Sequence, residues 1–181
     1  MDSLIALAEA ITDCRRCERL VEWREKIAQE KRAAYAEEQY WGRGVPGFGD
    51  PAAKVVIVGL APAAHGANRT GRVFTGDRSG DFLFASLYRT GFANQQLARH
   101  LDDGLVLHGA YVTAAVRCAP PENKPTPEER DNCRPFIERE LALLAESKVF
   151  VALGQFGYQV VSSILGIRPR PKFGHGVVVS I

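Results

Sequence analysis

With 181 residues, 46% of them hydrophobic, the chain can bury one sizeable core but is short for two domains of the usual ~100 to 200 residues, so 1–181 reads as a single domain. A formal net charge of +2 permits a polyanionic partner without pointing to one, and leaves function to be sought in motifs. The start, MDSLIALAEAITDC, is acidic where a secretion signal is basic, and no apolar run approaches the ~20 residues that span a bilayer; this points to the cytosol, where the four cysteines are poor disulfide candidates.

Leu4, Leu7, Ala8 and Ile11 recur at helical spacing behind Ser3 and predict a short amphipathic helix leading to Cys14. A second helix is expected over residues 18–40, largely charged, with Leu20, Val21, Ile27, Ala28 and Ala34 as its apolar face. Residues 41–51, with four glycines and two prolines, break it. KVVIVGLAP follows, a β-branched run of the kind buried on both faces of a parallel sheet, and it feeds a loop over residues 62–77. After Ser79, DFLFASLYRT predicts a helix stopped by Gly91. AYVTAAVRC and KVFVALG supply a second and third strand. Between them Thr126, Pro127 and Glu129 mark a helix start, with Thr as cap, Pro at the first position and Glu at the third, so Cys133 falls on the second turn. Residues 155–165 read as a further helix before Gly166, and GVVVSI opens a fourth strand. Strands alternating with helices predict an α/β fold with a mostly parallel four-stranded sheet and helices on both faces. Ligands of such sheets sit beyond the C-terminal strand ends, where the loops 62–77 and 118–124 emerge.

Cys14 and Cys17 form a C-x2-C pair, while Cys118 ends a strand and Cys133 sits on a helix. Buried thiols with no common purpose are frequent, although these four are all the cysteines of the chain. A tetrahedral zinc site uses the same C-x2-C pair, but zinc ribbons favour two short pairs, and fourteen residues separate Cys118 from Cys133. Iron-sulfur clusters accept scattered thiolates, and spacing alone leaves them only slightly ahead of zinc. A shared metal site would tie the N-terminal helix to the ligand-binding end of the sheet.

The most specific text is GLAPAAHGANRTGRVFTGD, residues 59–77. It closely resembles the first motif of the family 5 uracil-DNA glycosylases, and VRCAPPENKPTPEERDNC, residues 116–133, resembles the same family, including its two downstream cluster cysteines. With Cys14, Cys17 and PGFGDP at 46–51, the resemblance covers most of the chain. It implies a three-layer α/β/α sandwich, a structural 4Fe-4S cluster on Cys14, Cys17, Cys118 and Cys133, and hydrolysis of the N-glycosidic bond of deoxyuridine in DNA, the opening step of base excision repair. Deaminated purines such as hypoxanthine are further implied substrates. The implied partner is DNA carrying such bases, met by a monomer, and no metal is expected in the cleavage itself.

A base excised from a duplex must be extruded, stacked on an aromatic ring and read along its edge, while cleavage builds positive charge on the sugar and negative charge on the base. By resemblance Phe74 is the stacking aromatic; the plain alternative is a loop residue filling the core. Asn123 matches the reader of the pyrimidine edge, since an amide donates and accepts at once; the alternative is a turn residue before Pro125. Other branches carry a carboxylate or amide just after the first glycine of the motif to direct water, and here that position is Leu60, followed by Ala61; both are expected on the substrate wall. Asp77 resembles the acidic residue that family 5 offers instead, orienting water or stabilising cationic sugar character, and its rival role is to cap the helix near Ser79. His65 is expected to contact the flipped nucleotide. Arg69 and Arg72 suit DNA phosphate oxygens, with solvated surface arginines as the default. His100 and His108 have no motif around them.

Family members continue past a final strand into a second motif, His-x-Ser followed by a Gln/Asn-rich loop, whose histidine stabilises the departing base and whose loop holds the duplex open. The sequence stops at Ile181 inside the strand expected to feed that motif, and His175 lies before this strand and does not take the role. A truncated form of a longer protein with weakened excision is therefore expected. Two other functions stay open. One is a DNA-binding or damage-sensing module that has kept the fold and cluster without excision. The other is a cluster-bearing redox or nucleotide-binding protein, although the loop lacks the Lys-Ser/Thr ending of a P-loop and the spacing of a dinucleotide fingerprint.

Overall fold

A computed structural model describes residues 3–181. Ser3 opens helix α1 (Leu4–Thr12) as expected, its hydroxyl accepting the Ala6 N–H at 3.1 Å. Helix α2 (Glu18–Glu30) is shorter than its sequence pattern suggested. It ends at Lys31, with φ of 53°, and Ala33–Tyr35 form a single 3-10 turn. Past Ala28 the pattern has only exposed alanines to offer, so a longer helix would have buried almost nothing. The chain instead folds back over the loop that follows β2 (Val55–Gly59), with Trp41 N–H donating to Arg69 O at 2.9 Å and Gly42 N–H to Asn68 O at 3.0 Å. That turn brings Tyr35 and Tyr40 into the region of the motif loop.

The sheet has the order β1-β3-β2-β4. Strand β2 runs parallel to β3 (Ala110–Ala114) and β4 (Val149–Ala152), with Val56 level with Tyr111 on one side and Phe150 on the other. The edge strand β1 (Phe48–Gly49) lies antiparallel to β3. The expected strand at GVVVSI does not form: residues 176–181 pair with no strand, and Val178 is 90% exposed. β-Branched composition marks a segment that suits a sheet, but without a neighbouring strand to pair with it stays irregular. The fourth strand comes from the Gly/Pro-rich stretch, where two residues are too few to leave any alternating signature.

Along β2 the side chains alternate between two cores. Ile57 joins Val112 and Ala110 against Phe84 and Leu87 of helix α4 (Arg78–Arg89), which follows the single-turn helix α3 (Ala67–Thr70) of the motif loop. Val56 and Val58 join Tyr111 against Ile137 of helix α5 (Pro127–Leu143) and Val160 and Val161 of helix α6 (Gly154–Ile164). This is the expected α/β/α layering. Helix α5 starts on the expected capping box, with Thr126 Oγ1 accepting Glu129 N–H at 3.2 Å and the Glu129 carboxylate accepting Thr126 N–H at 2.7 Å. A third cluster gathers Leu7, Ile11 and Leu20 of α1 and α2 against Val116, Phe136, Cys118 and Cys133. Behind it a fully buried ion pair, Arg117 with Glu140 at 2.6 Å, is completed by Thr113 and Tyr111, so the charges removed from water are met from several sides. Among the described residues no helix is long and apolar enough to cross a membrane.

Candidate active site

Beyond the C-terminal ends of β2 and β3 lies a large pocket. Leu60, Ala61, His65, Phe74, Asp77 and Asn123 all line it, so the structure brings together every residue expected to touch substrate. Phe74 has a φ of 51°, a left-handed conformation unusual for an aromatic residue and strained by roughly 1–3 kcal/mol. Its ring lies over Gly59, where a Cβ would stand 2.5 Å from Cζ. The absence of a side chain at Gly59 thus sets the height of the ring over the pocket floor. Gly59→Ala is expected to push the ring away while leaving the sheet intact. Since aromatic stacking on a base contributes ~1–3 kcal/mol, KM for a base-bearing substrate should rise about tenfold or more, as steady-state kinetics would read.

Asp77 caps the helix, as one of its expected roles has it, and also reaches the pocket wall. One carboxylate oxygen accepts the Gly80 N–H at 3.0 Å and caps α4, while the other faces Gly66, whose missing Cβ leaves it room on the pocket wall. Asn123 ends a 3-10 turn (Pro121–Asn123) with a φ of 56°, a conformation Asn tolerates better than most residues, and stands exposed at the pocket rim. His65 Nδ1 lies 2.9 Å from the hydroxyl of Tyr40, and its backbone oxygen accepts Arg69 Nε at 2.8 Å. Burial, then the positive charges of Arg32 and Arg69, hold the His65 imidazolium less stable than usual and lower its pKa, which favours the neutral ring.

The two arginines expected on phosphate are corrected by the structure. Arg72 is 2% exposed, with its guanidinium on Asp103 at 2.9 and 2.6 Å and on Thr75 at 3.0 Å. Arg69 is buried as well, donating to His65 O and Gly76 O, paired with Glu38, and stacked over the Tyr35 ring at 3.9 Å. Both hold the loop together from inside. Burial works against ionisation of Asp103, but the hydrogen bonds from Arg72, Arg99 N–H and Leu105 N–H, with the Arg72 charge, override it and hold the carboxyl well below the ordinary range. Because that pKa is lower folded than unfolded, the pair contributes its full stability above pH ~4 and loses it as pH falls toward the folded value. Arg72→Met should cost about 3 kcal/mol by stranding Asp103. Thermal melts should show that loss shrinking below pH ~4.

The four cysteines converge on a second, small cavity that they share with Leu20, Val21 and Phe136. Arg24 Nη1 donates to Cys118 Sγ at 2.9 Å, Arg117 N–H to Cys133 Sγ at 3.2 Å and Asn132 Nδ2 to Cys17 Sγ at 3.7 Å. Burial pushes the thiols of Cys17 and Cys118 up and that of Cys133 up to about 12. Among the described residues no three His, Cys, Asp or Glu side chains are spaced to hold a single metal ion. Arg24 itself is 1% exposed and, among the described residues, forms no ion pair with a carboxylate; its guanidinium donates to Cys118 Sγ and the Cys14 carbonyl. Neither Arg24 nor Tyr40 stood out in the sequence, since both lie in a stretch that reads as one charged helix and their partners are far along the chain.

The pocket thus sits at the C-terminal strand ends of a layered α/β/α sheet. A family model of the Uracil DNA glycosylase superfamily matches residues 46–180, which defines the class. At finer grain, the type-5 uracil-DNA glycosylase of Mycobacterium tuberculosis is 50% identical over 182 residues, covering 99% of this chain and 68% of that protein. The type-5 enzyme of Thermus thermophilus is 51% identical over 172 residues, 94% of this chain and 78% of that one. A type-4 uracil-DNA glycosylase of Archaeoglobus fulgidus is more distant, at 27% over 169 residues. The chain belongs to the type-5 uracil-DNA glycosylase family.

Proposed function

We propose that this chain hydrolyses the N-glycosidic bond of uracil in DNA, with hypoxanthine as a second base. The carrying observation is that His65, Phe74 and Asp77 from one loop and Asn123 from another line a single pocket. An extruded uracil stacks on Phe74, and the Asn123 amide meets its carbonyl and N–H together. Hypoxanthine presents the same lactam pair, and an amide at an exposed rim leaves room for the larger ring. Asp77 orients the attacking water or stabilises the cationic sugar through the carboxylate oxygen not used by the helix cap.

In the same reading Cys14, Cys17, Cys118 and Cys133 hold a structural 4Fe-4S cluster. The buried cation of Arg24 supports it, because a guanidinium removed from water wants an anionic partner and a metal-bound thiolate at Cys118 is one. The three N–H donors to sulfur are what ligating thiolates attract. When bound, the cluster supplies covalent bracing between α1, α2 and the segment from Cys118 to Cys133, and the cleavage chemistry stays with the pocket.

Oligonucleotides carrying uracil or hypoxanthine, incubated with the protein and then treated with alkali, test the function. Strand scission at uracil is expected, with slower scission at hypoxanthine. Intact strands at excess protein, with retained DNA binding, would replace this reading with that of a damage-binding module.

A further inference from the structure

We infer that Tyr40 is a positioning residue that locks His65 in the tautomer carrying its proton on Nε2, so that the ring donates a hydrogen bond to the base leaving the pocket. The inference rests on the glycosylase reading for the base and on geometry for the tautomer. The Tyr40 hydroxyl lies 2.9 Å from His65 Nδ1, with the two rings edge to face at 82°. The same oxygen lies 3.3 Å from the Arg32 backbone N–H, which can only donate. Tyr40 is 7% exposed, and a buried hydroxyl proton left without an acceptor costs ~1–3 kcal/mol. Its lone pair takes the Arg32 N–H, and the acceptor at hand for its own proton is His65 Nδ1. A ring that accepts at Nδ1 carries its proton at Nε2.

The surroundings fix this arrangement. The His65 backbone is held by Arg69 Nε, and Arg69 is packed against the Tyr35 ring, so both the imidazole and the segment that carries Tyr40 are braced by one side chain. His65 stands on the pocket wall beside Phe74 and Asp77, and with Nδ1 occupied the nitrogen free to meet a ligand is Nε2. A neutral donor suits a departing base on which negative charge grows, because it stabilises the anion without first forming a cation in a site already crowded by Arg32 and Arg69.

Tyr40→Phe removes only the hydroxyl. Two-bond proton–nitrogen spectra of the ring-labelled protein report the tautomer directly, and His65→Gln identifies the His65 signals among the four histidines. Wild type should show a single Nε2–H form, and Tyr40→Phe a mixture. Excision of uracil by Tyr40→Phe should drop about tenfold in kcat with KM little changed, a loss that corresponds to one hydrogen bond. His65→Gln, whose amide reaches the Nε2 position, should keep more activity than His65→Asn, whose amide reaches only the Nδ1 position. An Nδ1–H form in wild type, a Tyr40→Phe spectrum identical to wild type, or an altered tautomer with unchanged kcat would overturn the inference. The spectra need no DNA, so an inactive wild-type protein sinks the proposed function while the tautomer still judges Tyr40.

Discussion

Asp77→Asn is expected to abolish most uracil excision, by a factor of about 10² to 10³ in kcat, while leaving the melting temperature nearly unchanged. The two expectations come from different oxygens of one side chain. As cap of α4, Asp77 accepts the Gly80 N–H, and an Asn carbonyl oxygen does this about as well as a carboxylate. In its proposed role on the pocket wall, its negative charge faces a cationic sugar and polarises the attacking water, and a neutral amide brings no charge to either task. Asp77→Ala removes both functions. It should match Asn in lost activity and add about 1 kcal/mol of instability from the lost cap. The pair therefore separates catalysis from capping. Alkaline scission assays and thermal melts on both variants read the two effects, and full activity in Asp77→Asn would reduce this residue to a helix cap.

Most of what local chemistry dictates was legible in the sequence. The Thr126 capping box, the Ser3 cap, the three β-branched strands β2, β3 and β4 and the Gly-rich motif loop each depend on neighbours a few residues away, and each is found where the pattern put it. The pocket residues were legible because they sit in two motifs. What the pattern missed depends on partners far along the chain. Arg72 looks like a surface cation until Asp103 is brought beside it, and Tyr40 looks like the tail of a helix until His65 meets it. Strand β1, two residues among glycines, exists because β3 offers it a free edge. The apolar GVVVSI run shows the converse, a strong strand composition that finds no partner among the described residues.

Loss of the proposed cluster should be the most damaging single change to the fold. Protein prepared without oxygen is expected to be brown, with iron and sulfide in equal amounts at about four each per chain, the stoichiometry of such a cluster. Cys133→Ser should lower the iron content sharply and the melting temperature by roughly 10 °C or more, since ~1 kcal/mol moves a domain of this size by ~2–4 °C and a structural metal site contributes several times that. The damage should be local before it is global. The cores on the two faces of the sheet have their own apolar residues, whereas the cluster joining α1 and α2 to the rest relies on Leu7, Ile11, Leu20, Val116 and Phe136 around the sulfurs. Without bound metal, burial disfavours the thiolates of Cys118 and Cys133, and Arg24 then loses the anionic sulfur proposed beside it. It should swing out toward water and carry α2 with it. Limited proteolysis should accordingly cut first within residues 3–31 in Cys133→Ser and in chelator-treated wild type, and leave the remainder resistant. Iron-free protein that melts like the native form, with α1 and α2 still protected, would show that packing alone seats these helices and that the buried arginine needs no thiolate.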